Sequence, residues 1–225
     1  MSRLNGSGDS IVQQYIVCKE SNLPNFLLVI AVFVILFYDD ITFAEKATLS
    51  EAMSEKSIGD PNAPVTVVEY SSLTCSHCAD FHIKTLPKIK KNYIDTGKVR
   101  LVLWDFPLGN LAMAASMIAR CSGEKNYMRM TNALFISQTN WAQSDKPFDA
   151  IAGIARLSGM TVDDLEDCLS DHALLRAIET KAKEANEILG VDSTPTFFID
   201  GVKVAGNLPY SDFKDLLEKA LAKKE

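Results

Sequence analysis

Residues Val65–Ala79 read VTVVEYSSLTCSHCA, and the fold turns on this stretch. An apolar run (Val65, Val67, Val68, Tyr70) stops at Ser71-Ser72, Cys75-Ser76-His77-Cys78 follows, and a helical pattern then begins. A strand that runs into a helix through two thiols three residues apart suits disulfide exchange. A cysteine at a helix N-terminus lies near unpaired N–H groups and the positive end of the helix dipole, so its thiolate is stabilised. His77, when protonated, adds positive charge beside the pair. A stabler thiolate is a better leaving group and makes the disulfide a stronger oxidant. The same spacing also serves as half of a zinc site. The other cysteines, Cys18, Cys121 and Cys168, are single and supply no second CxxC pair.

The chain has 225 residues, 47% hydrophobic, with a formal charge of −6. That length suits one domain, or a domain with an insertion, and allows a substantial core. The mild acidity and scattered lysines do not form the basic patch that nucleic acid requires.

Phe26–Tyr38 (FLLVIAVFVILFY) carries no charge and no helix breaker. It is shorter than the roughly 20 residues that span a bilayer comfortably and fits the apolar region of a secretory signal. Thr42-Phe43-Ala44 offers a cleavage point after Ala44; an uncleaved N-terminal anchor is the alternative. Residues 1–44 are therefore expected to be a signal or membrane tether, with the rest of the chain exported. Four cysteines remain after export, and an even number in an oxidising compartment favours disulfides. Cys121 with Cys168 is the simplest pairing outside the CxxC; two buried free thiols are the alternative.

Residues 45–60 are polar and read as a linker. Val65–Tyr70 reads as a strand buried on both faces. Glu69 is its exception: it is either a strand-end charge reaching water or a partly buried acid that moves protons beneath the dithiol. A helix is expected over Cys75–Tyr93, disturbed by Pro87, and a second strand over Val99–Phe106. Helices follow at Asn110–Cys121, Glu124–Ser137 and Phe148–Leu157. Thr161 and Asp164 form a capping-box pattern ahead of a short helix holding Cys168. Asp171 caps a longer helix that ends at Gly190. Strand signals return at Thr194–Asp200 and Val202–Ala205 as a hairpin, and a last amphipathic helix presents Phe213, Leu216, Leu217, Ala220 and Leu221. Thr194-Pro195 opens a buried-looking strand, where proline removes a ladder donor. A cis peptide there would free backbone groups for a substrate chain, and a plain trans proline is the alternative.

Together these residues resemble the DsbA family of thioredoxin-fold oxidoreductases over about Ile58–Ala222. The resemblance rests on VVEYSSLTCSHCADFH, the helical block Gly109–Leu189, GVDSTPTFFIDG and GNLPYSDFKDLLEKAL. It implies an α/β, thioredoxin-like fold interrupted by an inserted all-helical domain. The first half would span 61–108, the insertion 109–189 and the second half 190–225. It implies a nucleophilic Cys75, a resolving Cys78, a cis Pro195 preceded by Thr194 and facing the dithiol, and Glu69 as the buried acid. His77 would stabilise the Cys75 thiolate. The Cys121/Cys168 pair resembles an extra disulfide of some alphaproteobacterial members. The resemblance further implies no cofactor or metal beyond the redox disulfide, reduced exported proteins as substrates, and a quinone-linked DsbB-type membrane partner. Ser76 replaces the proline of the best-known oxidants, and Thr194 also occurs in isomerase and reductase relatives. Isomerase or reductase activity is thus the alternative within the fold, and a holdase or zinc-binding protein the alternative outside it.

Overall fold

The computed structural model describes residues 48–224, and the expected signal or anchor lies outside them. A five-stranded mixed sheet carries the site, in the order β1-β3-β2-β4-β5. The strands are β1 (Lys56–Ile58), β2 (Val65–Ser71), β3 (Val99–Asp105), β4 (Thr196–Ile199) and β5 (Val202–Ala205). β2 and β3 run parallel in the register Val65 to Val99 through Ser71 to Asp105. β4 pairs antiparallel with β2, placing Phe197 opposite Glu69, and β5 closes the hairpin. Asp200 (φ 48°) and Gly201 (φ 82°) make the left-handed turn that a two-residue hairpin needs.

β2 alternates rather than being uniformly buried. Val65, Val67, Glu69 and Ser71 are buried, while Thr66, Val68 and Tyr70 are half-buried. The sheet's second face is thus less completely covered than an apolar run suggests. Under the buried face, Phe81, Phe197 and Phe213 pack with ring centroids 4.6 to 5.5 Å apart. Such tilted and edge-on pairs suit the ring quadrupoles.

Helix α2 (Ser76–Asp80) leaves β2 through the dithiol and continues as a π-helical turn over Phe81–Thr85. α3 (Leu86–Ile89) and a second π turn, Lys90–Ile94, complete the run. Pro87 cannot donate to a carbonyl one turn back, and the wide turn before it absorbs that gap.

The helical block comprises α4 (Asn110–Cys121), α5 (Glu124–Ile136), α6 (Gln138–Ala142), α7 (Pro147–Leu157), α8 (Val162–Leu169) and α9 (His172–Leu189). The Thr161–Asp164 capping box is formed, Asp171 accepts from the N–H groups of Ala173 and Leu174, and left-handed Gly190 ends α9. α10 (Tyr210–Leu221) returns to the sheet, burying Phe213, Leu217 and Ala220.

Within the described residues, the expectation of a linker at 45–60 is corrected from Thr48 onward. Thr48 and Glu51 form a capping box on a short helix, α1 (Leu49–Ala52), and β1 adds an edge strand to β3. Lys56 is buried in that strand, its ammonium donating to the Glu51 carbonyl at 2.8 Å and to Ser54 Oγ at 2.7 Å. A polar residue can thus belong to the core when its stem packs and its head finds partners. Gly59, at φ 105°, lets the backbone leave β1 against β3: a Cβ there would stand 2.6 Å from the Val99 carbonyl oxygen.

Candidate active site

Cys75 is the N-cap of α2, in extended conformation (φ −81°, ψ 120°), and Cys78 lies one turn inside the helix. That offset separates two identical side chains chemically. Cys75 is half-buried; Cys78 is 0% exposed. Both thiols are free. The Cys75 thiol donates to the carbonyl oxygen of Thr194 at 3.3 Å.

Hydrogen bonding brings Cys75 down to about 5. The Cys78 thiol is the foremost donor, joined by the Thr194 side chain and the backbone N–H groups of Cys78 and His77. Cys78 is pushed far up, first by burial, then by its bond to the Cys75 sulfur and by the charge of Glu69. One thiol is poised as a thiolate while the other keeps its proton. His77 is exposed and acts on this balance through its backbone N–H.

The Thr194–Pro195 peptide is cis, and the Thr194 carbonyl faces the Cys75 sulfur. The Thr194 hydroxyl is buried and makes no regular hydrogen bond of its own, so it remains available to an ionised Cys75. Cys121 and Cys168 form a disulfide (Cα–Cα 6.1 Å) that joins α4 to α8 within the helical block.

Glu69 is 0% exposed, which rules out a strand-end charge reaching water. Its partner is His82, whose Nε2 lies 3.1 and 3.2 Å from the two carboxylate oxygens. The sequence reading did not single out His82. The available signal was spacing: His82 follows Cys78 by four residues, about one helical turn.

Gln138 was also missed. From α6 its side-chain amide donates to the carbonyls of Leu73 (2.7 Å) and Cys75 (3.0 Å). The helical block thereby grips the backbone that presents the nucleophile. No local pattern marks a glutamine for such a role. Ser72 ties the same loop to the segment between β3 and α4 by accepting from the Leu108 N–H at 3.2 Å. Farther along α4, buried Arg120 bonds Asp105 at 2.5 Å and the Ala52 carbonyl at 2.7 Å, locking α1 to β3.

A protein-family model described as Thioredoxin matches residues 51–219. The chain is 33% identical over 182 residues to a Rickettsia conorii protein named as a protein-disulfide oxidoreductase, covering 79% of this chain and 64% of that one. The chain thus spans somewhat under two thirds of that relative. Disulfide bond formation protein D of Bacillus subtilis is 25% identical, with 73% and 76% covered. Among solved structures, α-DsbA1 of Wolbachia pipientis superposes with a TM-score of 0.71 at 32% identity, covering 76% of this chain and 93% of that one. A protein-disulfide isomerase of Novosphingobium aromaticivorans gives a TM-score of 0.65 at 25% identity, with 74% and 97% covered. The chain belongs to the thioredoxin family, and within it to the DsbA-like proteins.

Proposed function

We propose that this DsbA-like chain is a thiol–disulfide oxidoreductase that introduces disulfides into exported proteins. The observation that carries the proposal is the division of labour in the dithiol: an accessible Cys75 held near 5 beside a buried Cys78 held high, facing the Thr194 carbonyl. A substrate thiolate attacks Cys75 Sγ of the oxidised pair. The Cys75–Cys78 bond breaks, a mixed disulfide forms, and Cys78 leaves as a thiolate that takes up a proton. A second substrate thiolate then attacks the substrate sulfur of the mixed disulfide, expelling the Cys75 thiolate. Two electrons have passed from substrate to enzyme. The low Cys75 value favours this direction because it makes Cys75 a good leaving group. The backbone groups of Thr194 and Pro195 would align the substrate chain.

The redox disulfide needs no cofactor or metal for this cycle. A periplasmic setting accords with the Cys121–Cys168 disulfide and with the apolar stretch at 26–38 acting as signal or tether. Reoxidation would fall to a quinone-linked DsbB-type membrane protein.

The test is the oxidation of a reduced two-cysteine peptide by the oxidised protein. Wild type should convert the peptide stoichiometrically, and Cys75→Ser should be inert; activity in that variant would overturn the assignment. Thr194 before the proline, together with the likeness to a protein-disulfide isomerase, favours isomerisation as the second reading. Rescue of a scrambled multi-disulfide substrate without added oxidant would select it.

A further inference from the structure

The thiol-exchange reading leaves one chemical problem: Cys78 is sealed from water, yet its proton must leave and return in every cycle. Glu69 lies close enough to oppose ionisation of Cys78, and a carboxylate in a central strand has little access to solvent for its own proton. The described residues give Glu69 one hydrogen-bonding side chain, His82, and its single Nε2 spans both carboxylate oxygens at 3.1 and 3.2 Å.

The His82 ring is built into place by three features. It lies in the π turn Phe81–Thr85, where the helix widens; such turns recur at functional sites. Phe135 of α5 stacks on one face, centroids 4.2 Å apart and planes 26° from parallel, and Phe81 meets the ring edge-on at 5.5 Å. With its side chain 2% exposed, the imidazole has little rotational freedom. The charge of Glu69 reaches two further titratable groups, Cys78 and, on α5, Tyr127, and opposes the ionisation of both.

We propose that His82 is a positioning residue for proton transfer at Cys78: its Nε2, set between the two Glu69 oxygens, orients the carboxylate so that Glu69 accepts the Cys78 proton as Cys78 resolves a mixed disulfide on Cys75. The inference rests on the thiol-exchange reading. During reoxidation by an external disulfide, the Cys75 thiolate forms a mixed disulfide and releases one thiolate. The Cys78 proton then passes to Glu69, which returns it when Cys78 next leaves as a thiolate, and Cys78 Sγ attacks Cys75 Sγ. The Cys75–Cys78 bond forms, the mixed disulfide breaks, and the second external thiolate departs. The enzyme gives up two electrons, and the external disulfide gains them.

The experiment mixes the reduced protein with oxidised glutathione, quenches with acid, and follows the Cys75–glutathione adduct by mass spectrometry across pH. Wild type is compared with His82→Phe, His82→Gln, Glu69→Gln and the double variant Glu69→Gln/His82→Phe, with circular dichroism as the check on folding. In His82→Phe, adduct resolution should slow by about tenfold near neutral pH and recover at higher pH, a modest share of what a general base contributes. His82→Gln, which keeps an N–H toward the carboxylate, should stay within about threefold of wild type. The double variant should match Glu69→Gln, because His82 acts through that carboxylate. Alkylation of Cys75 by iodoacetamide should be unchanged throughout. Should His82→Phe unfold, His82→Asn, whose shorter amide cannot reach the carboxylate, replaces it. Wild-type resolution in His82→Phe at every pH would overturn the inference, as would a glutamine variant no faster than the phenylalanine one, or a loss that adds to that of Glu69→Gln. If wild type forms no Cys75 adduct, the exchange reading itself falls; if wild type resolves its adduct and the variants match it, only the role of His82 falls.

Discussion

The Cys75 sulfur lies 3.3 Å from the carbonyl oxygen of Thr194, a residue 119 positions later in the chain. This contact closes the site from its far side and puts the buried Thr194 hydroxyl within reach of the thiolate. Thr194→Val keeps the carbonyl and removes the hydroxyl. The Cys75 value should rise from about 5 by up to about one unit, the worth of one lost hydrogen bond. Thiolate absorbance at 240 nm against pH measures it.

The same dithiol sets a pH signature. Cys75 ionises at about 5 and Cys78 far above its ordinary value. Reduction below about 5 takes up two protons per two electrons, and above it one. The reduction potential should therefore fall by roughly 59 mV per pH unit below that point and roughly 30 mV above it. Stability follows by linkage. A depressed folded value means the unfolded chain binds the proton more tightly, so the reduced protein gains stability as pH rises from about 5 toward the ordinary thiol value of about 8.5. The gain is lost as pH falls through about 5. Melting temperatures of the reduced and oxidised forms at pH 4 and pH 7 should show the reduced form gaining on the oxidised one.

Gln138 holds two carbonyls of the nucleophile loop. Gln138→Ala leaves both without their donor and should cost about 1–3 kcal/mol. Urea unfolding measures the loss, and amide exchange at residues 73–78 should rise more than elsewhere in the sheet.

Arg120→Ala strands buried Asp105 and frees the Ala52 carbonyl. Breaking a buried pair from one side costs about 3–5 kcal/mol. Denaturant unfolding should show this, with exchange protection lost first in α1 and β1. Arg120→Lys should recover only part of it, because a point charge cannot serve both partners in the guanidinium's geometry.

The Cys121–Cys168 bond closes a loop with a sequence separation of 47. In the chain-entropy account, Cys121→Ala/Cys168→Ala should destabilise the protein by about 4 kcal/mol. Iodoacetamide should modify Cys75 at an unchanged rate, since the disulfide joins two helices of the inserted block and the groups that set the Cys75 thiol are Cys78, Thr194 and His77.

Much of this architecture is legible in the sequence. Asn110–Cys121, the Thr161–Asp164 box, the Asp171 cap, the Gly190 stop and the Asp200-Gly201 turn all rest on interactions within about one turn of chain. The stretch at 45–60 misled because its polar composition hides a strand. Lys56 is buried only once Glu51, Ser54 and Tyr127 surround it, and the edge exists only because β3 offers hydrogen bonds. Composition records side chains one at a time, whereas strand pairing is a property of two segments.

The order of the longer elements from β2 onward and the place of Cys75 and Cys78 at a strand-to-helix junction are local matters, and the sequence by itself determined them through periodicity, caps and breakers. The cis Thr194–Pro195 bond stood in the sequence as one of two possibilities, and so did the burial of Glu69. The tertiary structure decided both, because each depends on what the sheet and its covering helices pack against them. It alone brought His82 onto Glu69 through a widened helical turn, and Gln138 onto the nucleophile loop from an inserted block. Those contacts join residues 13, 63 and 65 positions apart. Such pairs carry no period and no spacing rule: they exist only when the folded core removes water and leaves each buried polar group to find a partner.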